Sequence, residues 1–201
     1  MIYLASRSPR RRELLAQIGV RFEPLVFREG TRADTDVDEA VRDGESPDEY
    51  VRRVTRLKCD AAWRRVKERR GLMQLPVLAA DTTVATDTQI LGKPTDREEA
   101  TRMLRLLSGR SHRVLTAVAV AFEERFQMAV SESVVVFEAL DEARIRAYVE
   151  SGESFDKAGG YGIQGRAGAF VARLEGSYSG VMGLPLRETA QLLRKFGIVV
   201  P

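Results

Sequence analysis

Cysteine and histidine are almost absent from this chain of 201 residues, which holds one of each, Cys59 and His112. A single cysteine excludes an intramolecular disulfide framework and every zinc motif built from several cysteines, and it is typical of a reducing compartment. A single histidine excludes a histidine-rich metal site and any chemistry by paired histidines. Neither residue has the sequence partners that a catalytic dyad needs, so we interpret both as structural.

Long apolar runs are also missing. The longest stretches, such as residues 114–122, fall far short of the roughly 20 residues that cross a bilayer. At the N-terminus the apolar residues Ile2 to Ala5 precede the arginines, which is the reverse of the order in a secretory peptide. We therefore expect a cytoplasmic protein with no membrane partner, and its length predicts a single domain over residues 1–201.

Neither sign of charge is in large excess, since 32 lysines and arginines stand against 29 acids. The net charge of +3 is weak evidence for nucleic-acid binding, which usually concentrates basic residues in a stripe, and we expect no nucleic-acid partner. The charges are nevertheless segregated: residues 7–12 hold four arginines and no acid, whereas residues 29–49 hold nine acids and two bases. Separate cationic and anionic patches suit a phosphate site that uses a divalent cation.

Apolar patterns and helix-breaking residues predict an uneven alternation of strands and helices, with a long hairpin in the middle of the chain. The predicted strands cover residues 2–5, 20–27, 76–80, 114–122, 126–137 and 170–174, and a short hairpin covers residues 83–91. The predicted helices begin at Ser8-Pro9, Ser46-Pro47, Thr95, Asp141 and Pro185, and end near Ile18, Arg70, Ser108, Ser151 and Phe196. This order predicts an α/β fold with a mixed sheet rather than a purely parallel, doubly wound one.

Arg10, Arg11 and Arg12 fall in the first turn of the helix that begins at Pro9. Cations at this positive end of the helix dipole are each disfavoured by about 0.3–1 kcal/mol unless an anion is present. Together with Ser8 and the unpaired N–H groups of the first turn, they form a candidate phosphate or polyphosphate site. The alternative is that they are solvated surface arginines. A P-loop is excluded, because the sequence contains no G-x-x-x-x-G-K-[ST] motif.

Lys58 lies within the apolar face of the helix that begins at Pro47. That face is formed by Tyr50, Val51, Val54, Leu57, Ala61 and Ala62. A lysine there must extend to solvent, pair with an acid, or face a cleft in which a ligand neutralises it. Lys93, on a Gly-Lys-Pro loop, is less informative by itself.

Asp81 follows a buried strand, and ligands of open α/β sheets gather at the carboxyl ends of strands. A carboxylate there can hold a divalent cation or take a proton from water. The alternative is an aspartate that caps a turn. Asp38 and Glu39 are further candidates for a metal ligand or a base, against the alternative of a solvated acidic loop.

Residues 156–168 contain five glycines among the last ten residues. So much backbone freedom is tolerated where the chain must approach something closely or move. The pattern is not a G-x-G-x-x-G turn after a strand, so a dinucleotide-binding fold is disfavoured. We interpret the segment as a flap that contacts a base or a phosphate, with Tyr161 or Gln164 able to recognise a ligand.

Taken in order, several motifs resemble those of the Maf family of nucleotide pyrophosphatases. They are the segments at residues 4–15, 80–82, 91–94, 107–112, 156–168 and 181–186. The resemblance spans residues 2 to about 197 and implies an inosine triphosphatase-like fold with a central cleft. It also implies hydrolysis of a nucleoside triphosphate between the α and β phosphates, with a divalent cation such as Mg²⁺ or Mn²⁺, and a possible homodimer.

By this resemblance Asp81 is the catalytic carboxylate, and Glu39 is a further acid that holds the metal together with Asp81. The residues that the resemblance assigns to substrate binding are Arg10, Arg11, Lys58, Thr82, Lys93 and Gln164. Among these, Arg11, Lys58 and Lys93 are phosphate-binding, and the other three govern the choice of substrate.

The pattern resembles the dTTP and UTP branch of the family rather than the 7-methyl-GTP branch, which carries Gln where Thr82 stands and Glu where Gln164 stands. Hydrogen bonding agrees, since a Gln amide matches the donor and acceptors of a uracil edge, while a carboxylate matches the paired donors of guanine. Two alternatives remain: a 7-methyl-GTP pyrophosphatase, or a non-enzymatic module that binds nucleic acid or protein through the arginine cluster.

Overall fold

The computed structural model describes residues 1–25, 37–69 and 71–200. The strands are β1 (Ile2–Leu4), β2 (Phe22–Pro24), β3 (Val77–Ala85), β4 (Ile90–Leu91), β5 (Ser111–Phe122), β6 (Arg125–Phe137) and β7 (Val171–Glu175). The helices are α1 (Pro9–Gln17), α2 (Pro47–Glu68), α3 (Arg97–Leu107), α4 (Glu142–Glu150), α5 (Tyr178–Met182) and α6 (Leu186–Lys195). Short 3₁₀ segments cover Ala158–Gly160 and Arg166–Phe170.

The strands form a seven-stranded sheet in the order β2-β1-β3-β5-β6-β7, with β4 paired to β3. β1 pairs in parallel with β2 and β3, whereas the β3–β4 and β6–β7 pairs are antiparallel. The predicted α/β class with a mixed sheet is therefore confirmed. The strand predicted over residues 20–27 lies at an edge as its proline suggested, but it is shorter, and the end of that prediction falls outside the described residues.

Helix boundaries follow the capping signals closely. Ser46 and Glu49 form a reciprocal capping box at the start of α2, where each side chain accepts a hydrogen bond from the other's backbone N–H. The start of α3 differs from the prediction by one residue, because Asp96 caps the helix by accepting from Glu99 N, while Glu99 accepts from the Thr95 N–H and hydroxyl. Among the described residues, no helix combines the length and the apolar character that a bilayer span requires.

Backbone contacts divide the chain into two compact units. The first unit comprises Met1–Asp81, Thr116–Ser131 and Gly183–Pro201, and the second comprises Thr82–Leu115 and Glu132–Met182. β3 passes from the first unit into the second between Asp81 and Thr82. One domain over residues 1–201 stays a prediction.

The core of the first unit lies where α2 packs on the strands. Cys59, Trp63 and Val66 of α2 pack there with buried residues of β1, β3 and β5. Cys59 is fully buried, and burial raises the pKa of its thiol to about 12, so it is unreactive at neutral pH. This buried position agrees with the interpretation of Cys59 as a structural residue.

The core of the second unit is richer in aromatic side chains. Phe137, Tyr148, Tyr161 and Phe170 lie in one buried cluster with apolar residues of α3 and α4. Their rings meet edge to face, with centroids 4.8 Å apart for Phe137 and Tyr161 and 5.2 Å apart for Tyr148 and Phe170. Such pairs contribute about 0.5–1.5 kcal/mol beyond the area they bury.

The prediction that a strand ends at Ala80, just before Asp81, is wrong. β3 continues through Asp81 to Ala85, because the β-branched stretch that follows pairs antiparallel with β4 through Val84 and Ala85. The parallel pairing with β1 covers only Val77 and Leu78, so Asp81 still lies beyond the paired end of β1. The predicted hairpin over residues 83–91 is confirmed, since the second half of β3 pairs antiparallel with β4 across a turn in which Thr86 N donates to Gln89 O.

Candidate active site

Lys58 holds two carboxylates of the first unit. Its Nζ lies 2.7 Å from Asp81 Oδ1 and 2.9 Å from Glu39 Oε1. The side chains of Lys58 and Asp81 are 18% and 11% exposed, while that of Glu39 is 49% exposed. Among the three possibilities open for Lys58, pairing with an acid is the one observed.

The Lys58–Asp81 ion pair is largely buried, and burial of charge costs free energy. Removing a charge from water costs several kcal/mol, and an oppositely charged neighbour with good geometry offsets that cost. Lys58 reaches Asp81 because it lies on the face of α2 that packs against the sheet, where its neighbours Tyr50, Val54 and Ala62 are buried. Asp81 lies inside β3, so it is not a turn-capping aspartate.

Tyr50 is a site residue that the sequence analysis counted only as part of the apolar face. Its hydroxyl donates a 3.1 Å hydrogen bond to the backbone carbonyl of Glu39. Burial, reinforced by the negative charges of Asp81 and Glu39, raises the pKa of Tyr50 to about 12, so the phenol stays protonated at neutral pH. A tyrosine at the polar end of an apolar stripe was the available signal, since a buried hydroxyl needs a partner.

Arg11 is tied to the backbone beside Asp81. Its Nε donates to Gly183 O at 2.7 Å, and its Nη1 donates to Ala80 O at 2.7 Å and to Ser6 Oγ at 3.4 Å. Burial lowers the pKa of Arg11, and the charges of Asp81 and Glu39 act in the opposite direction. For Arg11 the alternative of a solvated surface arginine is therefore wrong, whereas Arg12 is exposed.

The first turn of α1 carries the arginines as the sequence predicted. Ser8 is the N-cap residue, its side chain makes no capping hydrogen bond, and no acid lies in the first turn. Arg10 is half-buried there. The helix start thus presents cations where an acid would stabilise the free helix, an arrangement that suits an anion.

The second unit holds the remaining predicted residues. Thr82 is half-buried in β3, Lys93 is exposed just after β4, and Gln164 is exposed in the glycine-rich segment. Thr82 and Lys93 lie near the ends of one hairpin, and the structure assigns no ligand to either. Their roles, like that of Gln164, stay predictions.

The glycine-rich segment is fastened from several sides of the second unit. Gly159 N donates to Gly92 O at 2.9 Å, and Gly162 N donates to the Tyr148 hydroxyl at 3.1 Å. The Tyr161 hydroxyl lies 2.7 Å from His112 Nε2. The interpretation of Tyr161 as a ligand contact is wrong, because its ring is buried in the aromatic cluster.

Gly162 explains part of the glycine content. A Cβ at this position would lie 3.1 Å from Gln164 Nε2 and 2.9 Å from Lys157 Cε, which is tighter than a Cβ normally tolerates. The Lys157 ammonium is itself held 2.8 Å from Glu153 O and 2.7 Å from Asp156 Oδ1. The glycines predicted a close approach to the backbone. At Gly162 the groups that approach are the side chains of Lys157 and Gln164, which belong to the same segment.

His112 is buried, and burial lowers its pKa to about 4. Its Nε2 faces Tyr161, while Nδ1 has no hydrogen-bond partner among the described residues. An imidazolium would need an acceptor at both nitrogens, so the neutral form is preferred in the folded protein. The structural interpretation of His112 agrees with this environment.

The donor set of the first unit fits a hard divalent cation. Asp81 and Glu39 both offer carboxylate oxygens near the Lys58 ammonium. Mg²⁺ is commonly bound by one or two carboxylates together with phosphate oxygens of a substrate and waters. Among the described residues, no group of three or more acids, histidines and cysteines comes together.

These features define a mixed α/β protein with a candidate phosphate-handling site of arginines, one lysine and two carboxylates. The Maf family model, described as Maf-like protein, matches residues 1–196, and the chain belongs to that family. It is 54% identical to the dTTP/UTP pyrophosphatase of Dechloromonas aromatica over 196 residues, covering 98% of this chain and 97% of that protein. It is 56% identical to the dTTP/UTP pyrophosphatase of Cupriavidus pinatubonensis over 194 residues, covering 96% of each.

A solved structure, that of the Staphylococcus aureus Ham1 protein, aligns with a TM-score of 0.46 and 15% identity. The alignment covers 97% of this chain and 96% of that one. At this level of similarity we infer nothing further from it.

Proposed function

We propose that the protein is a nucleoside triphosphate pyrophosphatase that hydrolyses dTTP and UTP to the monophosphate and pyrophosphate. The observation that supports this most is the pairing of Asp81 and Glu39 on the Lys58 ammonium, with the half-buried Arg11 bound to the backbone carbonyl of Ala80. Two full-length relatives named dTTP/UTP pyrophosphatase point to the same activity.

Asp81 acts as the proton acceptor in this proposal. Lys58 binds Oδ1 of Asp81, so we assign Oδ2 as the oxygen that takes a proton from the attacking water. The water oxygen forms a bond to the α-phosphorus while the bond from that phosphorus to the α–β bridging oxygen breaks. The electron pair of the broken bond leaves with pyrophosphate, so water supplies the only added atoms.

The cationic side chains neutralise the charge that builds on the leaving pyrophosphate. Arg10 and Arg11 act from the start of α1, Lys58 from α2, and Lys93 from the loop after β4. Arg11 has a second duty, because its hydrogen bond to Ala80 O fixes the backbone next to the catalytic carboxylate. We expect Arg11 to be less replaceable than Arg10 for that reason.

We propose Mg²⁺ or Mn²⁺ as the cofactor. A divalent cation supplies additional positive charge at the phosphate oxygens when bound, and Asp81 and Glu39 are the residues that would hold it. Lys58 keeps these two carboxylates close together in its absence, which limits their mutual repulsion.

Gln164 is the proposed base-selecting residue, together with Arg10 and Thr82. A Gln amide offers one acceptor for the N3–H of uracil or thymine and one donor for an adjacent carbonyl. Guanine presents two adjacent donors, which would leave the amide group mispaired at a cost of about 1–3 kcal/mol. The exposed position of Gln164 in the second unit leaves its amide accessible to a ligand.

We further propose that the enzyme acts in the cytoplasm, possesses no membrane or nucleic-acid partner, and forms a homodimer. The one cysteine is free and buried, which suits a reducing compartment. Sedimentation of the full chain tests the dimer directly.

A substrate panel tests the function. Purified protein is incubated with dTTP, UTP, CTP, GTP and 7-methyl-GTP, each with Mg²⁺ or Mn²⁺, and both pyrophosphate and orthophosphate are measured. We expect pyrophosphate from dTTP and UTP above all others, in equal amounts with the monophosphate. Orthophosphate as the first product would overturn α–β cleavage, preference for 7-methyl-GTP would move the protein to the other branch, and salt-sensitive nucleic-acid binding without hydrolysis would favour the non-enzymatic alternative.

A further inference from the structure

Three consecutive backbone carbonyls, those of Asp38, Glu39 and Ala40, accept hydrogen bonds from side chains of α2. Arg53 Nη1 donates to Asp38 O at 2.8 Å, and Arg53 Nη2 donates to Ala40 O at 2.8 Å. The Tyr50 hydroxyl donates to the carbonyl between them at 3.1 Å. A segment without regular secondary structure is thus bound to a helix on both sides of Glu39.

Arg53 is itself fixed by Glu45. Its Nε lies 2.6 Å from Glu45 Oε1 and its Nη2 lies 2.8 Å from Glu45 Oε2, which is a bidentate pair. Both side chains are largely buried, and the hydrogen bond from Arg53 is the main cause that lowers the pKa of Glu45 to about 2. A planar guanidinium held along one edge by a carboxylate has little freedom left, so its remaining N–H groups, on Nη1 and Nη2, are aimed at the two carbonyls.

The consequence of this arrangement lies at Glu39. Its carboxylate reaches Lys58 Nζ at 2.9 Å although its side chain is 49% exposed. A half-exposed acid on an irregular segment would ordinarily sample many positions, because exposed ion pairs are weak and screened by water. The hydrogen bonds from Arg53 and Tyr50 to the three carbonyls, here called the clamp, restrict the backbone from which the Glu39 carboxylate reaches Lys58.

We propose that Arg53, braced by Glu45, is a positioning residue that places the Glu39 carboxylate at Lys58. This inference rests on the proposed function, because it assigns Arg53 a role in turnover that acts through Glu39. Arg53 does not touch the substrate in this account. Its effect comes from the two carbonyls that it holds on either side of Glu39.

The test is a double-mutant cycle of Arg53→Met and Glu39→Gln, assayed for pyrophosphate release from UTP. We expect Arg53→Met to lower kcat about 10- to 100-fold, the range that displacement of a site group by about 1 Å produces. In the Glu39→Gln background, Arg53→Met should cost no more than about twofold, because the residue it positions is already lost. Arg53→Lys, which restores a donor, should recover part of the loss.

Arg52→Met is the matched control, since Arg52 is the preceding residue of α2 and pairs with Asp48 at the surface. It should leave kcat unchanged. Glu45→Gln provides a second route to the same effect if Arg53→Met unfolds, because it loosens Arg53 without removing its donors. Equal losses from Arg53→Met in both backgrounds would overturn the proposal.

Hydrogen exchange of residues 37–45 separates this proposal from the proposed function, because it needs no substrate. We expect faster exchange of residues 37–45 in Arg53→Met than in Arg52→Met, with no change within α2. Unchanged exchange would overturn the clamp even if the protein hydrolyses UTP. A protein that exchanges as expected but releases no pyrophosphate would leave the clamp standing and overturn the proposed function.

Discussion

The two units hold their candidate site residues by different means. In the first unit, the Lys58 ammonium contacts the carboxylates of both Asp81 and Glu39, so ion pairs bring the charged groups together. In the second unit, Gln164 lies on a segment that is fastened through the hydroxyls of Tyr148 and Tyr161. Gly162, which has no side chain, leaves room beside the Gln164 amide. In the proposed function, the first arrangement supplies charge for chemistry on phosphate, and the second selects the base.

Substitutions in the two units should therefore have different effects on activity. Loss of a charged group removes charge that the chemical step needs and should lower turnover on every nucleotide. Loss of shape in the glycine-rich segment should change the affinity for one base and leave the chemical step nearly intact.

Asp81→Asn should reduce kcat by about 10³-fold, within the range of about 10²–10⁴ that a positioned proton acceptor contributes. The fold should survive, because the Asn side-chain carbonyl can still accept a hydrogen bond from Lys58, and Glu39 still neutralises the Lys58 ammonium. Stopped assays of pyrophosphate release and circular dichroism measure the two effects. Asp60→Asn is the matched control, since Asp60 pairs with Arg56 at the surface of α2 and should lose no activity. Near-normal turnover by Asp81→Asn would contradict the assignment.

Gly162→Ala should lower kcat/KM for UTP about tenfold, mainly through KM, because the new methyl group displaces the Gln164 amide. The same substitution in a Gln164→Ala background should have no further effect on UTP. Steady-state kinetics of the wild type, the two single variants and the double variant measure whether the effect of Gly162→Ala depends on Gln164. A loss that is independent of Gln164 would assign the effect to the Lys157 contact instead.

His112 should affect stability rather than turnover. Its pKa is about 4 in the folded protein against an ordinary value of about 6.5, so protons bind the unfolded chain first as the pH falls. Stability is therefore complete above about pH 6.5 and is lost as the pH falls from there towards 4, by about 2 kcal/mol between pH 7.5 and 5. Urea unfolding across this range measures the slope. His112→Gln should flatten it, and an unchanged slope would mean that other groups cause it.

Much of the fold was predictable because its signals are local. The Ser-Pro pairs at Ser8 and Ser46 marked two helix starts, and the glycines after α1 and α3 marked their ends. Lys58 stood out because a charge interrupted an apolar face. By contrast, α5 was not predicted, since its five residues are too few to show a helical period.

The rest depended on contacts between residues distant in sequence. Nothing near Tyr161 indicates that its hydroxyl meets His112, and nothing near Arg53 indicates that it reaches the carbonyls beside Glu39. Asp81 was assigned to a strand end because the apolar run stops at Ala80. The antiparallel pairing with β4, which extends β3 to Ala85, is a tertiary contact. Sequence patterns identify which side chains are unusual, whereas the partners that explain them come from the tertiary fold.

In the proposed function, chemistry belongs to the charged group of the first unit and base selection to Gln164 of the second. The most direct measurement is the ratio of kcat/KM for UTP to that for 7-methyl-GTP in wild type, Asp81→Asn and Gln164→Glu. We expect Asp81→Asn to lower both values and keep their ratio, whereas Gln164→Glu should keep kcat within about tenfold and shift the ratio towards 7-methyl-GTP by about 10-fold or more. A ratio that Gln164→Glu leaves unchanged, or that Asp81→Asn alters as strongly, would contradict this assignment.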